Sequence, residues 1–440
     1  MPDSNPLPSA QQTRRILFAS LIGTTIEFFD FYIYATAAVL VFPKLFFPKG
    51  DPASAMLQSL ATFALAFFAR PIGSALFGHF GDRIGRKATL VTALLTMGIS
   101  TVVIGLLPTY ASIGVPAAGF LALCRLGQGL GLGGEWGGAV LLATENAPPG
   151  RHAWYGMFPQ LGAPLGFLCS TGVFLALSNG LSEVQFLSWG WRVPFLASAV
   201  LVLVGLYVRL QLVETPAFKR SIAQGERVRV PIAAVVAKHL RQLVLGTLGS
   251  TCTFVVFYLM TVFALSWATS SLGFGRQQFL ILQMLGVLFF GATIPVSAII
   301  ADRIGGRAML MLATLLIIAF GFAFKPLFGA HASASVLVFL ALGFGLSGLT
   351  YGPLGSALAA LFPTAVRYTG TSLTFNLAGI LGASLAPSIA TSLALHYGVA
   401  SVGYYLSAAG IVSLIALLLI KPETPGGDRG TNVELTGDLL

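Results

Sequence analysis

Five ionisable side chains interrupt otherwise apolar stretches of the sequence: Glu27, Asp30, Arg70, Arg125 and Glu135. A charge in an apolar span is costly unless it is paired or wetted, so each is a functional candidate. A carboxyl group in a low-dielectric site prefers to be neutral, and a nearby arginine pulls the other way. A site that alters both effects as it opens and closes can load and release a proton. Asp30 is the first candidate for that role and Glu27 the second, with Arg125 and Glu135 completing a proton-coupling set. The guanidinium fork also suits a substrate carboxylate. Arg70 and Arg125 therefore head a substrate-binding set that includes Tyr34, Gln128, Gln160, Tyr351 and Asn376.

Helical spacing arranges these residues in stripes. Gly23, Glu27, Asp30 and Tyr34 share one face, and Arg125, Gln128, Leu132 and Glu135 another. Gly127, Gly131, Gly134 and Gly138 fall opposite the second stripe. Small residues at that spacing let helices pack closely in lipid, which would turn Arg125 and Glu135 toward a cavity. At 1.5 Å per residue, Asp30 lies about 20 Å and Arg125 about 30 Å from the inner ends of their helices. Pairing between them requires tilt. Phe28, Phe29, Phe254 and Phe257 read as lipid-facing or packing residues. The cysteines Cys124, Cys169 and Cys252 stand far apart, and the five histidines show no ligand spacing. With no nucleophile–base pair or metal cluster evident, an embedded enzyme is a poor reading.

The elements that must position these groups are membrane spans. Of 440 residues, 56% are hydrophobic and 9% charged, against roughly 25% charged in soluble proteins. That excludes an ordinary soluble enzyme, a secreted domain and a disordered chain. Long continuous apolar runs exclude a β-barrel. The expectation is an all-α polytopic membrane protein. Its twelve transmembrane helices fall near 16–42, 57–80, 88–107, 117–145, 155–178, 192–212, 242–267, 278–300, 308–328, 334–361, 369–394 and 400–420. A tail at 1–15, a six-helix half at 16–212, a central loop at 213–241, a second half at 242–420 and a tail at 421–440 complete the plan.

With the N-terminus inside, 18 of the 25 Lys and Arg fall in inside segments and five outside. Both termini are therefore expected in the cytoplasm. The same asymmetry accounts for the net charge of +10 without a nucleic-acid partner. The run from Ile16 is too long for a cleaved leader and reads as an uncleaved first span.

The two halves repeat each other. Residues 78–87 (Gly-His-Phe-Gly-Asp-Arg-Ile-Gly-Arg-Lys) match 298–307 at an offset of 220. Arg151 and 156–166 match Arg367 and 372–382 at 216, pairing Gln160 with Asn376. Residues 21–32 match 247–258 at 226. Three ordered matches with falling offsets describe two parallel six-span halves, a transporter architecture with its site near the midplane. The second half lacks the charges: Glu27 pairs with Thr253, Asp30 with Val256, Arg125 with Ala341 and Glu135 with Tyr351.

The 78–87 loop resembles the signature loop of the major facilitator superfamily, with a second copy at 299–307 that carries Gly306 in place of Arg86. Further segments resemble the metabolite:proton symporter family within it. They are Glu-Phe-Phe-Asp-Phe-Tyr at 27–32, Arg-Pro-Ile-Gly-Ser-Ala-Leu-Phe-Gly at 70–78, Arg-Leu-Gly-Gln-Gly at 125–129 and Gly-Gly-Glu-Trp at 133–136. Trp-Gly-Trp-Arg-Val-Pro-Phe at 189–195, Glu-Thr-Pro-Ala-Phe at 214–218 and Phe-Pro-Thr-Ala-Val-Arg-Tyr-Thr-Gly at 362–370 extend the match along nearly the whole chain. The resemblance implies a monomeric carrier in the bacterial inner membrane, working by alternating access. It would import a small polar metabolite with protons, using no cofactor beyond the proton gradient. A carboxylate-bearing solute is favoured, with a zwitterion such as proline or betaine as the alternative. The resemblance also implies a cytoplasmic gate of Gly78, Asp82, Arg83, Gly85 and Arg86 with Glu145, and of Asp302, Arg303, Arg307 and Arg367 in the second half. Related sugar porters set a span-one acid against a span-four arginine, as Asp30 and Arg125 would be set here.

Overall fold

The computed structural model describes residues 10–48, 50–84, 86–210, 231–329, 332–363 and 366–421. The side chains of 10–13, 16, 78–90, 208–210 and 231 lie outside that description. Among the described residues nine helices are long and apolar enough to cross a membrane. Two shorter apolar helices, Val91–Leu106 and Gly306–Gly321, supply spans three and nine. Span four is two consecutive helices, Pro116–Leu132 and Glu135–Glu145. This makes the twelve expected spans, each near its expected place.

In chain order the first half is Ala10–Leu40, Pro52–Ile84, Arg86–Leu106, the broken span four, His152–Gly180 and Val193–Leu210. The second half begins at Leu240–Tyr258, which continues through a π-helical turn, Leu259–Phe263, into Ala264–Ser270. Arg276–Ile304, Gly306–Gly321 and Ser333–Ala360 follow. Span eleven runs from Arg367–Gly379 through a π-helical turn, Ile380–Ser384, to Ala386–Tyr397, and span twelve is Val399–Leu419. The helix Pro231–Lys238 occupies part of the expected central loop. Its Val235 is buried with Leu243, Phe362 and Val366 on spans seven and eleven, so this stretch belongs to the packed second half.

Glycines set the closest approaches in the first half. Span four meets span two where Gly129 faces the Ala66 carbonyl and Gly133 the Arg70 carbonyl, and Gly73 of span two faces Leu130 in return. A methyl group at any of these positions would collide with backbone, which cannot yield. The expected glycine stripe divides. Gly127 and Gly131 pack on Ser100, Ala93 and Met97 of span three, whereas Gly134 and Gly138 face Tyr368 of span eleven. The break at Gly133–Gly134 redirects the face between the two pairs. Span seven departs from the regular ladder at the π-turn, and there the buried Gln283 amide of span eight donates to two of its carbonyls, Met260 O at 2.9 Å and Thr261 O at 2.7 Å. Span one packs along span five within the first half and span eight along span ten within the second, and the pairing of span five with span eight joins the halves.

Candidate functional site

The charged side chains sort into two neighbouring compartments. One is a chain of polar groups inside the first half. Asp30 of span one is fully buried and accepts 2.7 Å from Ser198 Oγ of span six. Its Oδ2 has no hydrogen-bond donor, and the Thr101 hydroxyl of span three lies beside the carboxyl group. Thr101 Oγ1 accepts from Gln128 Nε2 at 2.8 Å, and Gln128 Oε1 accepts from Arg125 Nη1 at 3.0 Å. Arg125 Nε donates to the Phe63 carbonyl at 3.3 Å.

The Arg125 guanidinium sits over the rings of Tyr34 at 4.1 Å, Phe31 at 4.3 Å and Phe63 at 4.9 Å. Tyr34 OH donates to Thr62 Oγ1 at 2.9 Å, fixing its ring as one wall of that cage. Desolvated contacts of a cation with aromatic faces stabilise by about 2 kcal/mol or more each, which lets a guanidinium be buried without a carboxylate against it.

Asp30 and Arg125 therefore do not form the direct ion pair that tilt was to permit; Gln128 and Thr101 stand between them. Arg125, Tyr34 and Gln128, expected to contact substrate, are all buried in this first-half chain. Glu135 is buried at the start of the second helix of span four rather than turned into the cavity. Nothing in the sequence distinguished Ser198 and Thr101 from the many other hydroxyls of the spans.

The second compartment is a cavity between the halves, about 20 Å³ in this closed state, room for one water molecule. Arg70 lines it, with Tyr32, Tyr258, Tyr351, Phe257 and Phe290 among the rings around it. The Arg70 guanidinium lies over Phe31 at 4.9 Å and Phe67 at 5.2 Å, and its Nε has no acceptor. Phe28, Phe254 and Phe257 face this cavity instead of lipid. They and Tyr32 and Tyr258 belong to the 226-offset repeat, so the symmetry of the sequence held a signal for the aromatic lining. Phe31, Phe63, Phe67 and Tyr258 form one ring cluster, with centroids 5.3 to 6.5 Å apart in the contacting pairs, and it separates the cavity from Arg125.

Of the expected substrate-binding residues, Arg70 and Tyr351 reach the cavity. Gln160 and Asn376 tie the halves together. Gln160 accepts from Trp136 Nε1 at 2.8 Å and donates to Tyr351 O at 2.9 Å. Asn376 donates to Ser74 Oγ at 2.8 Å and Gly133 O at 3.2 Å. Trp136 stacks on Phe375 across the same boundary, centroids 3.5 Å apart.

Spans five and eight are fastened at both ends. On the side carrying Arg14, Arg241 and Arg307, Asp302 at the end of span eight accepts from the Ala153 and Trp154 N–H groups at 2.8 and 3.0 Å. These are free donors at the start of span five, where a carboxylate is favoured. Tyr368 OH donates to Gly134 O on the same side. Arg307 binds the Leu417 and Leu418 carbonyls at 2.7 and 3.1 Å, and Arg367 the Phe362 carbonyl at 3.2 Å. Both thus cap helix ends within their own half instead of crossing between halves. Arg303 and Glu145 are exposed. The side chains of Gly78, Asp82, Arg83 and Arg86, and Gly85 itself, lie outside the described residues.

At the opposite end Glu183 of the first half bridges Lys44 at 3.2 Å and Arg276 of the second half at 2.8 Å. Arg276 also lies 4.1 Å over Phe186, and Gln277 donates to Ser178 O at 2.5 Å. Partial burial pushes the Glu183 carboxyl group up, but the Lys44 hydrogen bond and the Arg276 charge outweigh it and hold the group below the ordinary carboxylate range. This fastening was not expected from the sequence, where Lys44, Glu183 and Arg276 stand in three separate loops. A cleft of about 570 Å³ opens between Asp51 and the start of span two, with Gln58, and His396 at the end of span eleven.

Comparison with known proteins agrees with the fold. The chain is 58% identical to the inner membrane metabolite transport protein YhjE of Escherichia coli K12 over 410 residues, 92% of this chain and 93% of the relative. It is 35% identical to the shikimate transporter of the same organism, over 96% of this chain and 97% of the relative. The xylose transporter XylE of E. coli, in a partially occluded inward-open conformation, superposes with a TM-score of 0.75 at 16% identity, covering 95% of this chain and all of that one. Residues 20–387 match the family described as Major Facilitator Superfamily. The chain belongs to the major facilitator superfamily.

Proposed function

We propose that the protein imports a small carboxylate-bearing metabolite together with protons, by alternating access of the central cavity. It sits in a bacterial inner membrane with both termini in the cytoplasm, so the Asp302 side is the cytoplasmic one. The observation that carries this reading is the buried chain Ser198–Asp30–Thr101–Gln128–Arg125 lying one ring cluster away from a cavity that presents Arg70. A carboxyl group with one unoccupied oxygen can take up a proton there. The Arg125 guanidinium reaches this carboxyl group only through Gln128 and Thr101, so the link between them is set by groups on spans one, three and four. Arg70 offers a substrate carboxylate a guanidinium whose Nε has no acceptor.

The fastenings at the two ends of spans five and eight support the alternating cycle. Asp302 holds the cytoplasmic end, and Glu183 with Arg276 the outer end. Releasing one while the other holds opens the cavity to one side at a time. An embedded enzyme would need a reactive cluster at the cavity, whereas the described lining offers rings, hydroxyls and one guanidinium.

The test is uptake into proteoliposomes of labelled carboxylates, with shikimate and proline included as solutes named for relatives. Saturable accumulation driven by an inward proton gradient, with counterflow of label when the gradient is absent, is the expected result. Accumulation indifferent to the gradient would remove the proton from the mechanism, and non-saturating flux without counterflow would indicate a channel.

A further inference from the structure

We infer that the cavity selects a monocarboxylate anion with an apolar body. This deepens the function proposed above and rests on the central cavity being the solute site. Three phenols, Tyr258, Tyr351 and Tyr32, lie close enough to Arg70 to act on its charge, and all three line the cavity with it. They come from spans seven, ten and one, so both halves contribute. The guanidinium fork and phenolic O–H groups are donors that match the two oxygens of one carboxylate.

A second carboxylate has no comparable place. Arg70 is the one cation in the described lining, and Arg125 is fully buried behind Phe31 and Phe63. Glu27 lies near enough to act on Arg70 but does not line the cavity.

The rest of the wall decides the body. Phe28, Phe254, Phe257, Phe290 and Phe375 present ring faces and edges. Thr253 and Ser347 are the aliphatic hydroxyls, and Ser347 already donates to Gly343 O at 2.8 Å. A solute rich in hydroxyls would bury most of them without partners, which such a wall penalises. A quaternary ammonium group would find aromatic faces, but no carboxylate lines the described cavity, and Arg70 already occupies the faces of Phe31 and Phe67. A second cation would be placed beside the first. A carboxylate with an apolar body satisfies the guanidinium, the phenols and the phenyl wall together.

The experiment is a thermal-shift and calorimetric series on the purified full chain. Benzoate and cyclohexanecarboxylate are the probes. Benzamide, succinate, shikimate and glycine betaine test the missing charge, a second charge, a hydroxylated ring and a quaternary ammonium. The two probes are expected to raise the melting temperature by about 2 °C or more at saturating concentration, and the four controls to leave it unchanged. Arg70→Gln should abolish the shift. Arg70→Lys, which keeps the charge but not the fork, should weaken benzoate binding about tenfold or more, and Tyr258→Phe should weaken it several-fold.

Silence of both probes, undiminished benzoate binding in the Arg70 variants, or tighter binding of shikimate or betaine than of benzoate would overturn the inference. If Arg70→Gln does not fold, Arg70→Lys and Tyr258→Phe decide. The coupling reading fails separately: benzoate binding with gradient-driven accumulation intact in Asp30→Asn would refute the role of Asp30 and leave the ligand class standing.

Discussion

Asp30 and Val256 occupy matching places in the repeated halves, and both are fully buried. Around Asp30 the sequence supplies Ser198, Thr101, Gln128 and a caged guanidinium; Ala341 stands where the first half has Arg125. In the second-half interior phenyl rings pack on one another instead, with Phe320 and Phe328 stacked on Phe339 and Phe324 edge-on to it at 4.7 to 5.3 Å. A valine in lipid-like surroundings needs only contact, whereas a carboxyl group needs partners, and those partners must come from other helices. Duplication supplied one backbone plan twice. Among the described residues the buried charges Glu27, Asp30, Arg70, Arg125 and Glu135 all lie in the first copy. At the cavity the two meet again: Arg70 has Phe290 as its mate at the 220 offset, and both line the same space.

The sharpest way to break this contrast is Asp30→Asn. Accumulation under a proton gradient should fall to simple equilibration while counterflow persists, because exchange needs no net proton movement. The matching change in the other half, Val256→Thr, should leave the pH dependence of uptake unchanged. Full gradient-driven accumulation by Asp30→Asn would end the assignment of coupling to the first half.

Next in size is Arg125→Lys. The ammonium cannot reproduce the planar stacking on Phe31, Tyr34 and Phe63 together with the bond to Gln128. Loss of one desolvated cation–π contact, about 2 kcal/mol, corresponds to roughly thirtyfold. Accumulation should drop by about that factor and its pH profile should move, with solute affinity within about twofold of the parent, since Arg125 does not reach the cavity. A large loss of affinity with an unmoved pH profile would transfer Arg125 to the substrate site.

The two ends of spans five and eight give a second, smaller contrast. Asp302→Asn weakens a charge-assisted cap on two helix N–H groups, and the inward-open population should rise roughly tenfold. The readout is labelling by an impermeant thiol reagent, applied from the cytoplasmic side, of Ser356→Cys in a background lacking Cys124, Cys169 and Cys252.

Glu183→Gln should do less at the outer end. The Glu183 carboxyl group and Lys44 are exposed, and pairs of exposed groups contribute about 0–1 kcal/mol, at most roughly fivefold in population. Because the Glu183 carboxyl group is held below its usual range, the fastening is complete above the ordinary carboxylate pKa of about 4 and is lost as pH falls through the lowered value. Distances between spin labels at Ser182→Cys and Ser271→Cys should therefore stay constant from neutral pH to about 5 and lengthen only below about 4. The Gln variant should show no such transition. Lengthening near neutral pH would assign the outer closure to another group.

Much of the fold was legible because membrane insertion writes itself into sequence. Twenty-residue apolar runs, the basic-loop asymmetry and the ordered 226, 220 and 216 offsets specify twelve spans in two halves, since lipid leaves few alternatives to a helix whose backbone bonds are internal. The charged candidates were legible for the same reason: Asp30, Arg70 and Arg125 stand out because burying them in lipid is costly. Their partnerships were not. Ser198, Thr101 and Gln128 lie on three different helices, and only packing brings them to one carboxyl group. Arg70 and Arg125 carry the same signal in sequence, yet the ring cluster around Phe31 leaves one at the cavity and encloses the other. Gln160 and Asn376 kept their symmetry but serve as ties, because the break at Gly133–Gly134 brings span four up against span eleven. Sequence periodicity specifies the face of a helix. The neighbour that meets that face depends on bends, bulges and close glycine contacts, which arise only once the helices are assembled.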